Sequence, residues 1–551
     1  MKFASTLLAA SALCGLAAPG AYAATAHRPR HHAAAHHHAA PAVQPVITHD
    51  PQVAEEMARL RAQVTALQER LDATQQAQAT TSQQVAQTQS QVGALSQSVA
   101  EAPKVASTTA KAEVASAFDH ERKQGYFDFK GVRITPGGFL EFAGVERQHF
   151  QGNDIASSFS IPFPNNYPSH VGESRFTARQ SRLSLLVQGN PNDHTVLTMY
   201  GEFDFQGGAQ TANSNESNSY NPRIRHLYAA VDWTHDGGGV HLLAGQNWSL
   251  LTMNAQGISP RNEVIPAVID AQYVPGFVWT RQPQIRLAID TADHHLWAAV
   301  SAENAATTVA GTVPADLTYN APAGSGFDST NSLSLNKMPD FIGKVAYEGD
   351  IAGHKLHIEG FGISRNFTAH VDGAQNVSKG GYGFGGGITL QAVPALLDLQ
   401  FSGIGGKGIG RYGSTQLPDV AFAADGTIHP VRELMLLGGA TLHPTKMLDV
   451  YVYAGKEQEF AESLGGNYGI GLLTANNAGC EIQGGTCNGN TRRIEQLTGG
   501  FWQKIYSGSF GRAQVGLQYA YTERELFVDA NGNMPTAHQN VGIISFRYYP
   551  F

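Results

Sequence analysis

Downstream of residue 118 the chain is written in short alternating stretches, with clusters of Gly, Asn, Pro and Asp between them. In 195–206 the odd positions carry Leu197, Met199, Gly201, Phe203 and Phe205, while the even ones include Thr198, Tyr200, Glu202, Asp204 and Gln206. In 284–290, Ile285, Leu287 and Ile289 alternate with Arg286, Ala288 and Asp290. In 341–348, Gly343, Val345 and Tyr347 are set against Lys344 and Glu348, and in 514–524, Val515, Leu517, Tyr519 and Tyr521 against Gln514, Gln518, Thr522 and Arg524. A period of two marks half-buried strands. About sixteen such segments fit between 138 and 551, and no long amphipathic helix interrupts them.

Alternation alone also describes a soluble sheet with one wet face. Three features favour strands that touch lipid instead. Tyr, Trp and Phe crowd the segment ends, as an interfacial girdle requires. The polar face keeps full charges beside glycines, which suits a watery lumen better than a packed core. Long polar inserts (150–173, 207–221, 302–339, 459–495) separate some segments, while other joins are short. The expected fold is all-β: a transmembrane antiparallel β-barrel of about sixteen strands over 119–551, wide enough for an aqueous channel. Closure satisfies every backbone hydrogen bond without water.

Upstream the period changes. Val53, Met57, Leu60, Val64, Leu67, Leu71, Val85, Val92, Leu95 and Val99 fall on one ladder of alternating four- and three-residue steps. That spacing predicts a helical coiled coil over 52–103, with Glu56 and Arg61 placed for an interchain ion pair. Pro103 ends it, and 104–118 reads as a linker. Residues 24–51 are a His/Ala/Pro-rich disordered spacer, in which His36, His37 and His38 are weak metal candidates because nothing fixes ligand geometry. Met1 and Lys2, an apolar run and Ala21-Tyr22-Ala23 read as a signal peptide over 1–23. The coiled coil is therefore expected in the periplasm.

Composition narrows the functions. Charged residues make up 15% of the chain, against ~25% in ordinary soluble domains. A net charge of −8 and the lack of any basic stripe exclude a nucleic-acid partner. Cys480 and Cys487, seven residues apart around a Gly-Gly turn, predict a disulfide stiffening an outer loop. Two thiols without nearby histidines make no metal site. No enzyme constellation and no cofactor motif is evident; the glycines of 383–387 lie inside a strand pattern rather than before a helix.

Four strings carry a resemblance: Arg179-Gln180-Ser181-Arg182-Leu183-Ser184, Arg223-Ile224-Arg225-His226-Leu227-Tyr228, Leu243-Ala244-Gly245-Gln246-Asn247-Trp248-Ser249 and Gln282-Pro283-Gln284-Ile285-Arg286. With the leader, the coiled coil, the strand count and the terminal Tyr549-Pro550-Phe551, the chain resembles the DcaP-like trimeric outer-membrane porins. More distantly it is similar to the phosphate-selective porin O/P family. The resemblance implies a homotrimer in the lipid of a Gram-negative outer membrane, passing dicarboxylates or similar small anions. It also implies that 250–275, after the fifth strand, folds into the lumen with Arg261, Glu263 and Asp270. One departure is Arg547, which stands where an apolar residue is expected two before Tyr549.

The wall opposite that loop is expected to hold Arg182, Arg225, Arg286 and Lys344, with Glu202 and Asp204 elsewhere, giving opposed rows of charge. The plain alternative is that barrel arginines simply pair with neighbouring carboxylates. Arg175 and Arg179 have the wrong parity to share a face with Arg182, which puts them beyond the rim or past a bulge. Arg223 and Arg225 share parity with Leu227, so their face stays open. The expected function is passive diffusion of small hydrophilic, anionic solutes through a water-filled channel. A structural alternative is an envelope tether, with the coiled coil contacting peptidoglycan and the barrel as anchor. Metal uptake through the histidine tract is a third and weaker reading.

Overall fold

The computed structural model describes residues 125–207, 221–318, 336–373 and 376–551, together with Thr65. The expected leader, histidine tract, coiled coil and linker, including His36, His37 and His38, lie outside the described residues.

The main sheet of the described chain is antiparallel, with 16 membrane-length strands closed on itself, and two small two-stranded sheets lie in the inserts 408–431 and 460–490. In order these are β1 (Val132–Arg147), β2 (Glu173–Thr177 continued by Arg182–Asn192), β3 (Thr195–Gly207), β4 (Asn221–His235), β5 (Gly238–Trp248) and β6 (Arg281–Thr291). There follow β7 (Leu296–Glu303), β8 (Asp340–Ile351), β9 (His354–Val371), β10 (Asn376–Val393) and β11 (Leu397–Lys407). The last are β12 (Arg432–Thr445), β13 (Leu448–Glu459), β14 (Thr491–Gly508), β15 (Gly511–Leu526) and β16 (Thr536–Tyr549). Each strand pairs with its sequence neighbours, and β1 closes the barrel by pairing with β16 (Leu140↔Tyr548 to Arg147↔Val541) as well as with β2. Every expected segment corresponds to one of these strands.

Burial runs the opposite way to that of a soluble protein. On β6, Ile285, Leu287 and Ile289 are exposed, whereas Gln284, Arg286 and Asp290 between them are buried. On β8, Phe341, Val345 and Tyr347 face out while Asp340 and Lys344 face in. Leaving one such apolar side chain in water forgoes about 1.5–3 kcal/mol. A continuous band of them is stable only against lipid.

Two irregularities settle the faces of the arginines. Between Glu202↔His226 and Phe203↔Ile224 the β3–β4 register slips, so Arg225 is the extra residue of a bulge. Arg223 and Arg225 therefore both point inward, and Leu227 still points out. The break at 178–181 inside β2 resets the alternation in the same way, bringing Arg175 and Arg179 to the inner face with Arg182. The last strand corrects an expectation. Ile544 and Phe546 face outward, and Arg547 and Tyr549 face the lumen, where both side chains meet the Phe139 ring. Arg547 thus breaks no apolar row, because the outward register runs through Phe546 and not through Tyr549.

Candidate functional site

Seven short joins (193–194, 236–237, 292–295, 352–353, 394–396, 446–447, 509–510) lie at one end of the barrel, and the long inserts, with the four-residue join between β9 and β10, lie at the other. The insert 249–280, between β5 and β6, turns into the lumen. Its backbone there has no bulk water, so its polar groups need partners from the wall. Lys344 on β8 donates to Thr252 O at 2.8 Å, Asn254 Oδ1 at 3.1 Å and Glu359 Oε1 at 2.8 Å. All three ammonium protons are used. Glu359 on β9 also accepts the Asn254 N–H at 3.0 Å. Glu303 on β7 accepts the Leu250 N–H at 2.8 Å, and Glu457 on β13 that of Gly276 at 2.7 Å. Trp502 on β14 donates to Ala267 O at 2.8 Å, and Gln518 on β15 accepts from Ile269. An insert held by strands from β7 round to β15 crosses the barrel. Close approach at Gly455 is part of the fit: a Cβ there would lie 1.9 Å from Pro275 O.

A second insert, 408–431, also packs inside, and nothing in the strand pattern pointed to it. Tyr412 donates to Asp340 Oδ2 at 2.8 Å, and Ser414 donates to Val274 O at 2.7 Å. Arg365 on β9 reaches Asp340 at 3.0 Å, Asp419 at 2.6 Å, Gly408 O at 2.6 Å and Ala306 O. The signal that could have found it is composition. Ile409, Tyr412, Leu417, Val420, Phe422 and Ile428 give this stretch an apolar content that an outer loop in water would not carry, and all six are buried.

The expected charges divide into two groups. Arg182, Arg225, Glu202 and Asp204 come together on β2, β3 and β4. Asp204 accepts from Arg223 at 3.0 and 2.6 Å and from Arg225 at 3.2 Å, Glu202 accepts from Arg225, and Arg182 stands 4.0 Å from Glu202. The carboxylates are therefore interleaved with the arginines, and the opposed rows expected from the sequence are not formed. The hydroxyl of Tyr273, on the inserted loop, lies 3.4 Å from Arg225 and in the field of Arg182 and Arg281.

The others act as supports. Arg286 is buried, donating to Trp248 O at 2.6 Å and Gln284 at 3.0 Å, and Lys344 is buried as described. Glu263 lies in the field of both. Asp270 accepts the Ser157 N–H at 3.1 Å, tying the insert 148–172 to the inner loop. Arg261 is exposed on the underside, 5.8 Å from the Tyr200 ring. Arg281, Lys504, Arg512 and Arg365 were not anticipated, because each lies at a strand end or in a stretch without clean alternation. In the insert 460–490, Cys480 and Cys487 are joined by a disulfide.

Open space remains above and below the crossing loop. A cavity of about 720 Å³ on the long-insert side is lined by Asp154, Arg179, Arg223, Gln272, Glu459 and Arg524, among others. One of about 300 Å³ on the short-join side is lined by Arg182, Tyr273, Lys504, Arg512, Arg547 and Asp449. Tyr273 and its neighbour Gln272 stand between the two. Both chambers hold more cationic than anionic side chains, although the whole chain is acidic.

No protein-family model and no curated protein sequence matches the chain. Solved structures do. The outer membrane channel DcaP of Acinetobacter baumannii matches with a TM-score of 0.54 at 17% identity, over 77% of this chain and 99% of that one. OprB of Pseudomonas putida matches at 0.43 and 7% identity over 79% and 97%, and an anion-selective porin from Comamonas acidovorans at 0.40 and 10% over 76% and 99%. The fold is that of the outer membrane channel DcaP.

Proposed function

We propose that the protein is an outer-membrane porin, a homotrimer whose barrels pass small hydrophilic anions of the dicarboxylate class by passive diffusion. The observation that carries this reading is the run of arginines along one wall. Arg179 and Arg223 stand in the upper chamber, Arg225 and Arg281 beside Tyr273, and Arg182 with Arg512 and Arg547 in the lower chamber. Low-dielectric walls focus such a field onto the remaining water, raising the local concentration of anions. The forked donors of arginine suit a carboxylate, and successive arginines let it pass from one to the next. Arg179, Arg182 and Arg223 keep 24, 19 and 34% of their side chains exposed, so they stay reachable by a solute.

Solute flux into vesicles holding the purified protein tests this. A small dicarboxylate is expected to enter faster than an uncharged solute of equal size, and a diamine of equal size more slowly. Equal rates, or faster entry of the diamine, contradict the reading. Chemical cross-linking in intact membranes is expected to give a ladder ending at the trimer.

A further inference from the structure

Across the lumen from the arginines, the β12–β13 ladder sets Glu433 directly opposite Glu459. Both point inward and are only 2% and 1% exposed. Glu433 Oε2 accepts the N–H of Ile409 at 2.9 Å. No donor of the described chain reaches Glu433 Oε1 or either oxygen of Glu459.

The neighbouring groups do not neutralise this pair. Glu457 and Asp419 add negative charge beside it. Their own oxygens are engaged, Glu457 by Gly276 and Thr415, and Asp419 by Arg365, Arg411 and Thr308. The guanidinium of Arg365 is spent on Asp340, Asp419 and two carbonyls. Like charges facing each other across a ladder repel, and a buried carboxylate without a counter-charge is costly.

We propose that Glu433 and Glu459 hold one hard divalent cation, Ca²⁺, between β12, β13 and the insert 408–431. The three free oxygens belong to carboxylates, the ligand type Ca²⁺ prefers, and its irregular coordination tolerates donors on two strands and a loop. The backbone offers a further oxygen at Leu417, whose carbonyl accepts from Thr308 Oγ1 at 3.0 Å and keeps a second lone pair. A Cβ at Gly410 would lie 2.6 Å from Glu433 Oε1 and 2.1 Å from that carbonyl, so the two oxygens flank the same residue and only glycine fits there. Glu459 and Leu417 both line the 720 Å³ upper chamber, which gives the ion a path from solvent. Bound there, it ties the insert 408–431 to the wall. It also cancels negative charge in the chamber that holds Arg179, Arg223 and Arg524; this consequence, unlike the site itself, rests on the anion-channel reading.

Calorimetric titration of Ca²⁺ into the folded full-length protein, EDTA-washed in non-ionic detergent free of lipopolysaccharide, tests the site. Thermal unfolding with and without Ca²⁺ is measured alongside. One ion per chain and a raised Tm are expected for the wild type. Glu433→Gln and Glu459→Gln are each expected to weaken binding at least tenfold and to remove the Tm rise. In EDTA both variants are expected to melt at or above the wild-type temperature, since each deletes a buried charge, so lost binding is distinguished from misfolding. Absence of heat and of a Tm shift in the wild type overturns the proposal. Binding that survives in both variants overturns it too. So does a carboxylic-acid infrared band that persists in saturating Ca²⁺ and disappears in the variants, which would mean a proton shared between the two carboxyls.

Discussion

Two sectors of the wall, four strands apart at their nearest edges, put inward charge to different uses. On β2–β4 Arg182, Arg223 and Arg225 share Glu202 and Asp204, and Arg182 and Arg223 remain partly in water. On β8–β13 the charges are sealed: the side chains of Lys344, Glu359, Arg365 and Asp340 are all 0% exposed. There the charge serves to hold backbone that has left the sheet. An inward-facing charge in a barrel is therefore no guide to solute contact until it is known whether a loop covers it. One sector supplies a field to the lumen, and the other supplies the anchors that narrow it.

The largest effect that would break the comparison comes from the anchoring sector. Lys344→Met removes two hydrogen bonds to the crossing loop and takes from Glu359 its ammonium partner. Loss of one partner of a buried pair costs about 3–5 kcal/mol. A lower temperature for the heat-modifiable shift on a gel is expected, with noisier single-channel current. A variant with wild-type melting and quiet current would mean that Lys344 anchors nothing.

Next is Gly455→Val, which places atoms where Pro275 O now rests. Overpacking of this kind costs about 1–3 kcal/mol. With the strand fixed by both neighbours, the loop is the part free to yield, so a larger mean conductance is expected. Unchanged conductance would show that the loop does not limit the bore.

In the basic sector, Arg223→Gln is expected to leave melting nearly unchanged, because Arg225 still pairs with Asp204, while dicarboxylate flux falls severalfold. A large loss of stability with flux intact would move Arg223 into the anchoring class.

The smallest effect lies outside the membrane. In the loop 527–535, the Asn533 amide and the backbone N–H groups of Asn533, Asn477 and Asn531 all donate to Asp529, holding its carboxyl at about 2, below the ordinary 3.8. The folded value is depressed, so the stabilisation is fully present above about pH 4 and is lost as pH falls through about 2. Amide exchange at Asn531 and Asn533 is expected to stay slow until that window and to be fast at every pH in Asp529→Ala.

Much of the fold was legible because lipid enforces a strict period of two. The faces of Ile285 and Arg286 follow from that alone. It failed where the period is broken by one residue, as at Arg225 and at 178–181, since a bulge leaves no residue-type signature here. It failed at Arg547 because the terminal aromatic row was counted from Tyr549 instead of Phe546. The candidate site was less legible. Side-chain parity says which face a charge takes, but the crossing of the lumen by 249–280 and 408–431 depends on long-range partners such as Lys344, Glu457 and Arg365. Parity within β3 alone sets Glu202 and Asp204 in a separate acidic row, because strand pairing, which places them among the arginines, is not written in β3 itself.

In the proposed function, the partly exposed Arg182 and Arg223 set the sign of selectivity. The most direct test is the zero-current potential across a planar bilayer under a potassium chloride gradient, for the wild type and for Arg182→Gln/Arg223→Gln. Anion selectivity is expected in the wild type, moving to neutral or cationic in the double variant. A cation-selective wild type, or a double variant with an unchanged potential, would contradict it.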